Sequence, residues 1–274
     1  MNKTFCKYLK ILILSGLIAS VFSCDYETKY RDADYPEQLI YMPAAVGSNG
    51  LFVIDNIARE TGVLPFPGYP YRYVVDMQKR EFRIPLSVYR SGVDNKGAFT
   101  VNIKAGPDTI NTINEGRTDK YLLIPADKYS IAGSVEMKNG ENLASFDLVI
   151  DIDLLRNGSA NDIYALGVGI SSNERSNSPK LCTTAVIIHS KILKPDANFT
   201  FVVDESNSKR VTFTNSSTMA TDYQWNFGDG SAVSNDNAPS HIYSSAGVYS
   251  VSLTAMGITG DEDISVINID VTIE

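Results

Sequence analysis

The chain is poor in the residues that build metal centres and disulfide frameworks: it holds 3 Cys, 2 His and 1 Trp. The two histidines, His189 and His241, leave a His-based zinc site without enough ligands. Basic residues are also in deficit, 24 against 32 acidic, for a net charge of -8. So acidic a chain has no global electrostatic pull toward nucleic acid. No Gly-rich phosphate loop follows a strand and opens a helix. The apolar run Ile11–Phe22 is short: twelve residues reach about 18 Å as a helix, against a hydrocarbon core of roughly 30 Å. What is present is an ordinary folded composition, 43% hydrophobic, 20% charged and 10% aromatic, which excludes wholesale disorder and a polytopic membrane protein.

Lys3, Lys7 and Lys10 precede that apolar run, the order of a secretory signal peptide over residues 1–23. The run ends in Val21-Phe22-Ser23-Cys24, which resembles the lipobox of bacterial lipoproteins. The resemblance implies that Cys24 is lipidated and becomes the mature N-terminus; a plain signal peptide with Cys24 incidental is the alternative. Residues 24–37, with Asp25, Glu27, Asp32 and Asp34, read as a solvated tether. Their acidity also resembles the surface-export signal of Bacteroidetes lipoproteins, which implies an outer-membrane, surface-exposed location. Cleavage leaves Cys24 and Cys182. With Cys24 lipidated, the one remaining thiol has no partner for an internal disulfide, and Cys182 reads as a strand residue.

From residue 38 onward the apolar positions follow period two. Phe99, Val101 and Ile103 alternate with polar residues, as do Phe146, Leu148 and Ile150. Strands are expected at 38–42, 51–56, 71–76, 81–89, 99–105, 145–152, 164–172 and 183–190, with Pro85 marking an edge or a bulge. One helix is expected after Asp108, capped by that residue and ended by Gly116. Turns such as Asp94-Asn95-Lys96-Gly97 and Lys138-Asn139-Gly140 punctuate the run. The fold class is all-β: two tandem immunoglobulin-like β-sandwich domains, 38–192 and 195–274, divided at Lys194-Pro195-Asp196.

The stretch from Phe82 to Gly92 is followed by Phe99-Thr100-Val101, then Leu123-Ile124-Pro125-Ala126-Asp127-Lys128-Tyr129 and Ala144-Ser145-Phe146. Together these resemble domain of unknown function 1735, an immunoglobulin-like domain of Bacteroidetes lipoproteins found ahead of glycan-active domains. That resemblance implies a glycan-associated role and supplies no catalytic residues. Arg90-Ser91-Gly92 with Asp151 and Asp153 is loosely similar to Calx-β modules, which implies a calcium site; solvent-facing strand carboxylates are the other reading. No other cofactor is expected.

The last 80 residues carry Trp225-Asn226-Phe227-Gly228-Asp229-Gly230, His241-Ile242-Tyr243 and a long alternating strand through Tyr249. These runs resemble a polycystic-kidney-disease (PKD) domain. Trp225 and Phe227 share a strand face and anchor a small core. Gly228 and Gly230 permit positive φ around Asp229, Tyr243 and Tyr249 pack across from Trp225, and His241 can hydrogen-bond to the turn. Asp229 and His241 thus read as structural rather than catalytic.

The binding candidate is the Pro-stiffened aromatic loop 65–73, with Phe66, Tyr69 and Tyr71. Aromatic planes stack on the C–H faces of sugars. Alternatively, Tyr71 and Tyr73 point into the sandwich core and Phe66 plugs its end. Function therefore divides between a non-catalytic surface lipoprotein that binds polysaccharide or glycoconjugate and a structural or adhesive spacer. Partners expected are the membrane, through the lipid anchor, and surface transport or glycosidase proteins.

Overall fold

The computed structural model describes residues 37–274 except 61–63, 66, 67 and 93. The signal peptide, Cys24 and the acidic tether up to residue 36 therefore lie outside the described residues, as does Phe66.

Where apolar residues alternate, strands form and bury one side. The first domain contains β1 (Leu39–Tyr41), β2 (Leu51–Ile54), β3 (Val74–Asp76), β4 (Glu81–Arg90), β5 (Phe99–Gly106) and β6 (Leu122–Leu123). It continues with β7 (Tyr129–Ile131), β8 (Ser134–Met137), β9 (Leu143–Asp151), β10 (Ile163–Ser171), β11 (Ser176–Asn177) and β12 (Thr183–His189). One sheet runs β11-β1-β4-β9-β7 with β3 also on β4; the other runs β2-β12-β10-β5-β8 with β6 also on β10. Their inner faces meet in a core that includes Phe82, Ile84, Leu86, Val101, Leu148, Val168 and Val186. Burying such side chains contributes roughly 1.5–3 kcal/mol each. The helix α1 (Asp108–Glu115) lays Ile110 on the opposite face of the second sheet, against Ala165, Ala185 and Ile187.

Two local expectations change, and a third, at Pro85, resolves to its edge alternative. Asp108 is the first helical residue and makes no side-chain cap; the cap position is Pro107. Pro at that point already fixes a helix-compatible φ of -79°. Pro85 introduces no bulge, since the β4–β9 register runs unbroken from Glu81↔Asp151 to Tyr89↔Leu143. On its other side, among the described residues, β4 is paired near its ends, by β3 over residues 81–83 and by β1 at 89–90. A proline in that unpaired middle removes no ladder bond there, and Ser87 Oγ in the same gap donates to Pro65 O at 3.1 Å. The strand expected at 71–76 is confined to Val74–Asp76, because Tyr71 and Arg72 are held by the neighbouring 57–59 segment instead, Arg72 N donating to Arg59 O at 2.8 Å.

Arg90 is 1% exposed, and its hydrogen bonds go to backbone carbonyls. Its guanidinium donates to the carbonyls of Glu141, Lys96, Gly97 and Lys138 at 2.5–2.9 Å and lies 5.2 Å from the centre of the Phe99 ring. Five fixed donors match this cage, so one buried cation ties the 96–97 and 138–141 turns together.

The second domain has β13 (Phe199–Asp204), β14 (Asn207–Asn215), β15 (Asp222–Asn226), β16 (Ser240–Ile242), β17 (Gly247–Gly257) and β18 (Gly260–Ile273). They form sheets β13-β14-β16 and β15-β17-β18. Between them Phe199, Phe213, Trp225 and Phe227 pack ring to ring at 5.0–6.0 Å. Trp225 is fully buried, and its Nε1 donates to Asp236 O at 2.9 Å.

The β17–β18 hairpin tip reaches back to the first domain. Ile258 packs on the first domain's core. Arg156, in α2 (Ile152–Asn157), holds Asp263 by Nε to Oδ2 at 2.6 Å and Glu262 Oε2 by Nη1 at 2.9 Å. Arg80 pairs with Glu262 at 2.6 Å and also with Asp153. Lys194 Nζ donates to Arg156 O, and Thr259 Oγ1 to Asp263 Oδ2 at 2.7 Å. A Cβ at Gly257 would stand 3.3 Å from Pro195 Cδ, so the linker approaches the hairpin closely there.

Candidate functional site

Of the three loop aromatics, the structure brings together Tyr69 and Tyr71. Their rings lie 6.3 Å apart and edge to face, both half-buried. The Arg59 guanidinium sits 4.9 Å from the Tyr71 ring centre, a cation–π distance. Tyr73 goes elsewhere: it is buried, stacks on Phe82 at 4.9 Å and donates its hydroxyl to Ile57 O at 3.1 Å. Burial pushes the Tyr73 hydroxyl up to about 12, despite Arg59 and Arg72 nearby. The loop is thus split, with Tyr73 in the core and Tyr71 half-buried at its edge. Alternation alone assigned both to one side; Arg72 between them is itself buried, 6% exposed, over Phe52, so the backbone does not follow strand geometry here.

Arg59 and Tyr73 also wall a cleft of about 470 Å³ whose other side is formed by Thr221, Asp222 and Gly257. Thr221 Oγ1 donates to Asp222 Oδ2 at 2.8 Å. Thr221 and Asp222 further border a shallower depression of about 770 Å³ on the second domain, with Gln224, Asn235 and Asn237. No sequence pattern singled out Arg59, Thr221 or Asp222, because they come from segments far apart in the chain.

The second domain's signature residues form one connected device. Gly228 and Gly230 have φ of 78° and 80°, and a Cβ on Gly228 would fall 2.5 Å from Ser250 O. Only glycine satisfies both demands. Between them Asp229 accepts from Ser231 N at 3.0 Å and Ser231 Oγ at 2.5 Å, and its Oδ2 lies 2.7 Å from His241 Nε2. Burial alone would raise this carboxyl, but the Ser231 and His241 hydrogen bonds outweigh it and bring it to about 2. His241 stacks flat on Phe227 at 4.1 Å and stands edge-on to Tyr243 at 4.7 Å; Tyr243 stacks on Tyr249 at 4.3 Å. Tyr243 donates to Phe227 O at 3.1 Å, and burial raises its hydroxyl to about 12. Both carboxylate oxygens of Asp229 and the Nε2 of His241 are thereby engaged in holding a turn against a stack of rings.

The carboxylates considered for calcium are ion-paired. Asp151 Oδ2 meets Lys128 Nζ at 2.8 Å, while Asp151 Oδ1 accepts from Asp153 N and caps α2. Asp153 is held by Arg80. Among the described residues no group of three or more His, Cys, Asp or Glu side chains is placed to hold a metal ion. His189 ends β12, where burial lowers its imidazole pKa. Cys182 is half-buried and free.

A family model for a "-like, N-terminal domain" matches residues 66–177, and a PKD-domain model matches residues 193–273. Among solved structures, the chain is similar to the PKD1 domain of the Vibrio cholerae metalloprotease PrtV, at 29% identity and a TM-score of 0.27. That match covers 30% of this chain and 98% of that one. A two-domain protein of unknown function from Bacteroides fragilis matches at 9% identity and a TM-score of 0.42, over 89% of this chain and 95% of that one. An auxiliary nutrient binding protein from Bacteroides thetaiotaomicron matches at 15% identity and a TM-score of 0.34, over 80% of this chain and 66% of that one. The chain is therefore two tandem immunoglobulin-like β-sandwiches, of which the second is a PKD domain.

Proposed function

We propose that this chain is a non-catalytic lipoprotein of the outer membrane, anchored through Cys24, exposed at the cell surface and binding glycan as an accessory of polysaccharide utilisation. The observation that carries the reading is the Tyr69–Tyr71 pair with Arg59 across the Tyr71 ring. Rings held edge to face offer a sugar an apolar plane at low ordering cost, and a guanidinium beside them donates to ring hydroxyls. The Asp229–His241 pair adds no catalysis to this reading, since it is used in a turn. Migration in native gels containing neutral polysaccharides tests it: retardation is expected, and Tyr71→Ala should abolish it. Binding that survives Tyr71→Ala would remove the tyrosines from the site. The anchor is tested separately by Cys24→Ser, which should move the protein from the membrane to the soluble fraction.

A second reading is favoured by the ionic fastening of the PKD hairpin to the first domain. Joined domains make a stiff spacer that presents a protein partner, such as a surface transporter or glycosidase. Absence of glycan retardation together with co-purification of such a protein would favour this alternative.

A further inference from the structure

We propose that the PKD domain supplies the second wall of the glycan site, so that a neutral oligosaccharide leaving Tyr71 runs through the cleft between the domains and onto the Gln224 and Asn235 side. This deepens the glycan reading above and rests on it. Continuity comes first. Arg59 touches the Tyr71 ring and also lines the cleft, and its carbonyl is bonded to Arg72 N, so the tyrosine surface and the cleft share one segment. On the far wall, Thr221 and Asp222 belong both to the cleft and to the amide-lined depression beyond it. The two hollows and the tyrosine pair thus form one path across both domains.

The chemistry of the path selects a polyol. Asp222 is an exposed carboxylate that can accept from two adjacent hydroxyls, Arg59 is a planar donor lining the same cleft, and amides offer both donors and acceptors. The two charges lining the cleft are of opposite sign, so an acidic sugar gains at Arg59 what it loses at Asp222. A neutral chain keeps both contacts. The cleft volume of about 470 Å³ falls within the roughly 300–1,000 Å³ of small-molecule sites. Its walls are set in place before binding by the Arg156–Asp263 and Arg80–Glu262 pairs, which lowers the ordering cost of association.

The test uses the whole exported chain in native gels cast with dextran, arabinoxylan, galactomannan or polygalacturonate, comparing wild type, Tyr71→Ala and Asp222→Ala. Trp225 emission, unchanged in Asp222→Ala, reports that the PKD domain has folded. The expected result is retardation by at least one neutral polysaccharide, weakened about tenfold or more by either substitution. Asp222→Ala binding within about twofold of wild type, with Tyr71→Ala losing it, would discard the PKD wall and leave the tyrosine site standing. No retardation of the wild type by any of the four would discard both. Stronger retardation by polygalacturonate than by the neutral polymers would overturn the ligand class.

Discussion

The two sandwiches solve the same burial problem with different side chains. The first domain is large enough to fill its core mainly with Ile, Leu and Val from two six-stranded sheets, with aromatic rings such as Phe82 and Tyr73 in the minority, and it tolerates a buried cation at Arg90. The PKD domain has two three-stranded sheets and packs four clustered rings between them, Phe199, Phe213, Trp225 and Phe227. A small sandwich buries a smaller fraction of its surface, so each side chain must contribute more area, and aromatic rings do that. Loss of one ring should therefore harm the PKD domain more than loss of one aliphatic residue harms its neighbour.

The sharpest test of this contrast is Phe213→Ala. The ring touches Phe199, Trp225 and Phe227, and its removal should cost about 3–5 kcal/mol. Trp225 is the only Trp in the chain, so its emission during urea unfolding reports the PKD domain alone. Its transition should move to lower urea, while the first domain, followed by backbone circular dichroism, holds its midpoint. Equal shifts in both signals would show that the domains unfold as one.

Arg90→Lys probes the other half of the comparison. An ammonium cannot reach all the carbonyls that the guanidinium serves, and about 2–4 kcal/mol should be lost from the first domain alone. Denaturation followed by circular dichroism should show this with the Trp225 transition unmoved; an unchanged midpoint would mean that the carbonyl cage contributes nothing.

Acid should separate the domains as well. Asp229 sits at about 2 when folded, against an ordinary 3.8. A depressed carboxyl stabilises above its unfolded value, and that contribution of about 2 kcal/mol fades as pH falls from roughly 4 toward 2. Trp225 emission should register the loss, and Asp229→Asn should already be destabilised at neutral pH and flatten the acid slope. A slope that persists in Asp229→Asn would assign it to other carboxyls. The smallest effect is expected from Asp263→Ala, about 1 kcal/mol, because Arg156 retains Glu262. Its signature is separation of the two thermal transitions in calorimetry, and transitions as close together as in wild type would deny the hairpin a coupling role.

Much of this architecture was legible because half-buried strands write period two into the sequence. Phe99, Val101 and Ile103, or Phe146, Leu148 and Ile150, face the core as their spacing implies. Glycine chemistry was legible too, since the φ values at Gly228 and Gly230 are local demands. Short edge elements were not: β6, β7 and β8 have too few residues to show a period, and α2 follows β9 directly. Asp108 misled because a proline one position earlier had already started the helix. The candidate site was half legible. Tyr69 and Tyr71 announced themselves as a local aromatic cluster, but Arg59 and Asp222 line one cleft from positions so far apart in the chain that no local pattern encodes it.

The hairpin tip has a further consequence. PKD sequences invite treatment as beads that can be exchanged along a string, yet residues 258–263 of this one are shaped to its neighbour through Ile258, Glu262 and Asp263. A chimera carrying a foreign PKD bead would keep the linker and lose the seat, and its two halves would tumble independently. Transplanting the tip along with the bead should restore common tumbling, which makes these few residues, rather than the linker, the unit of inheritance for the pair.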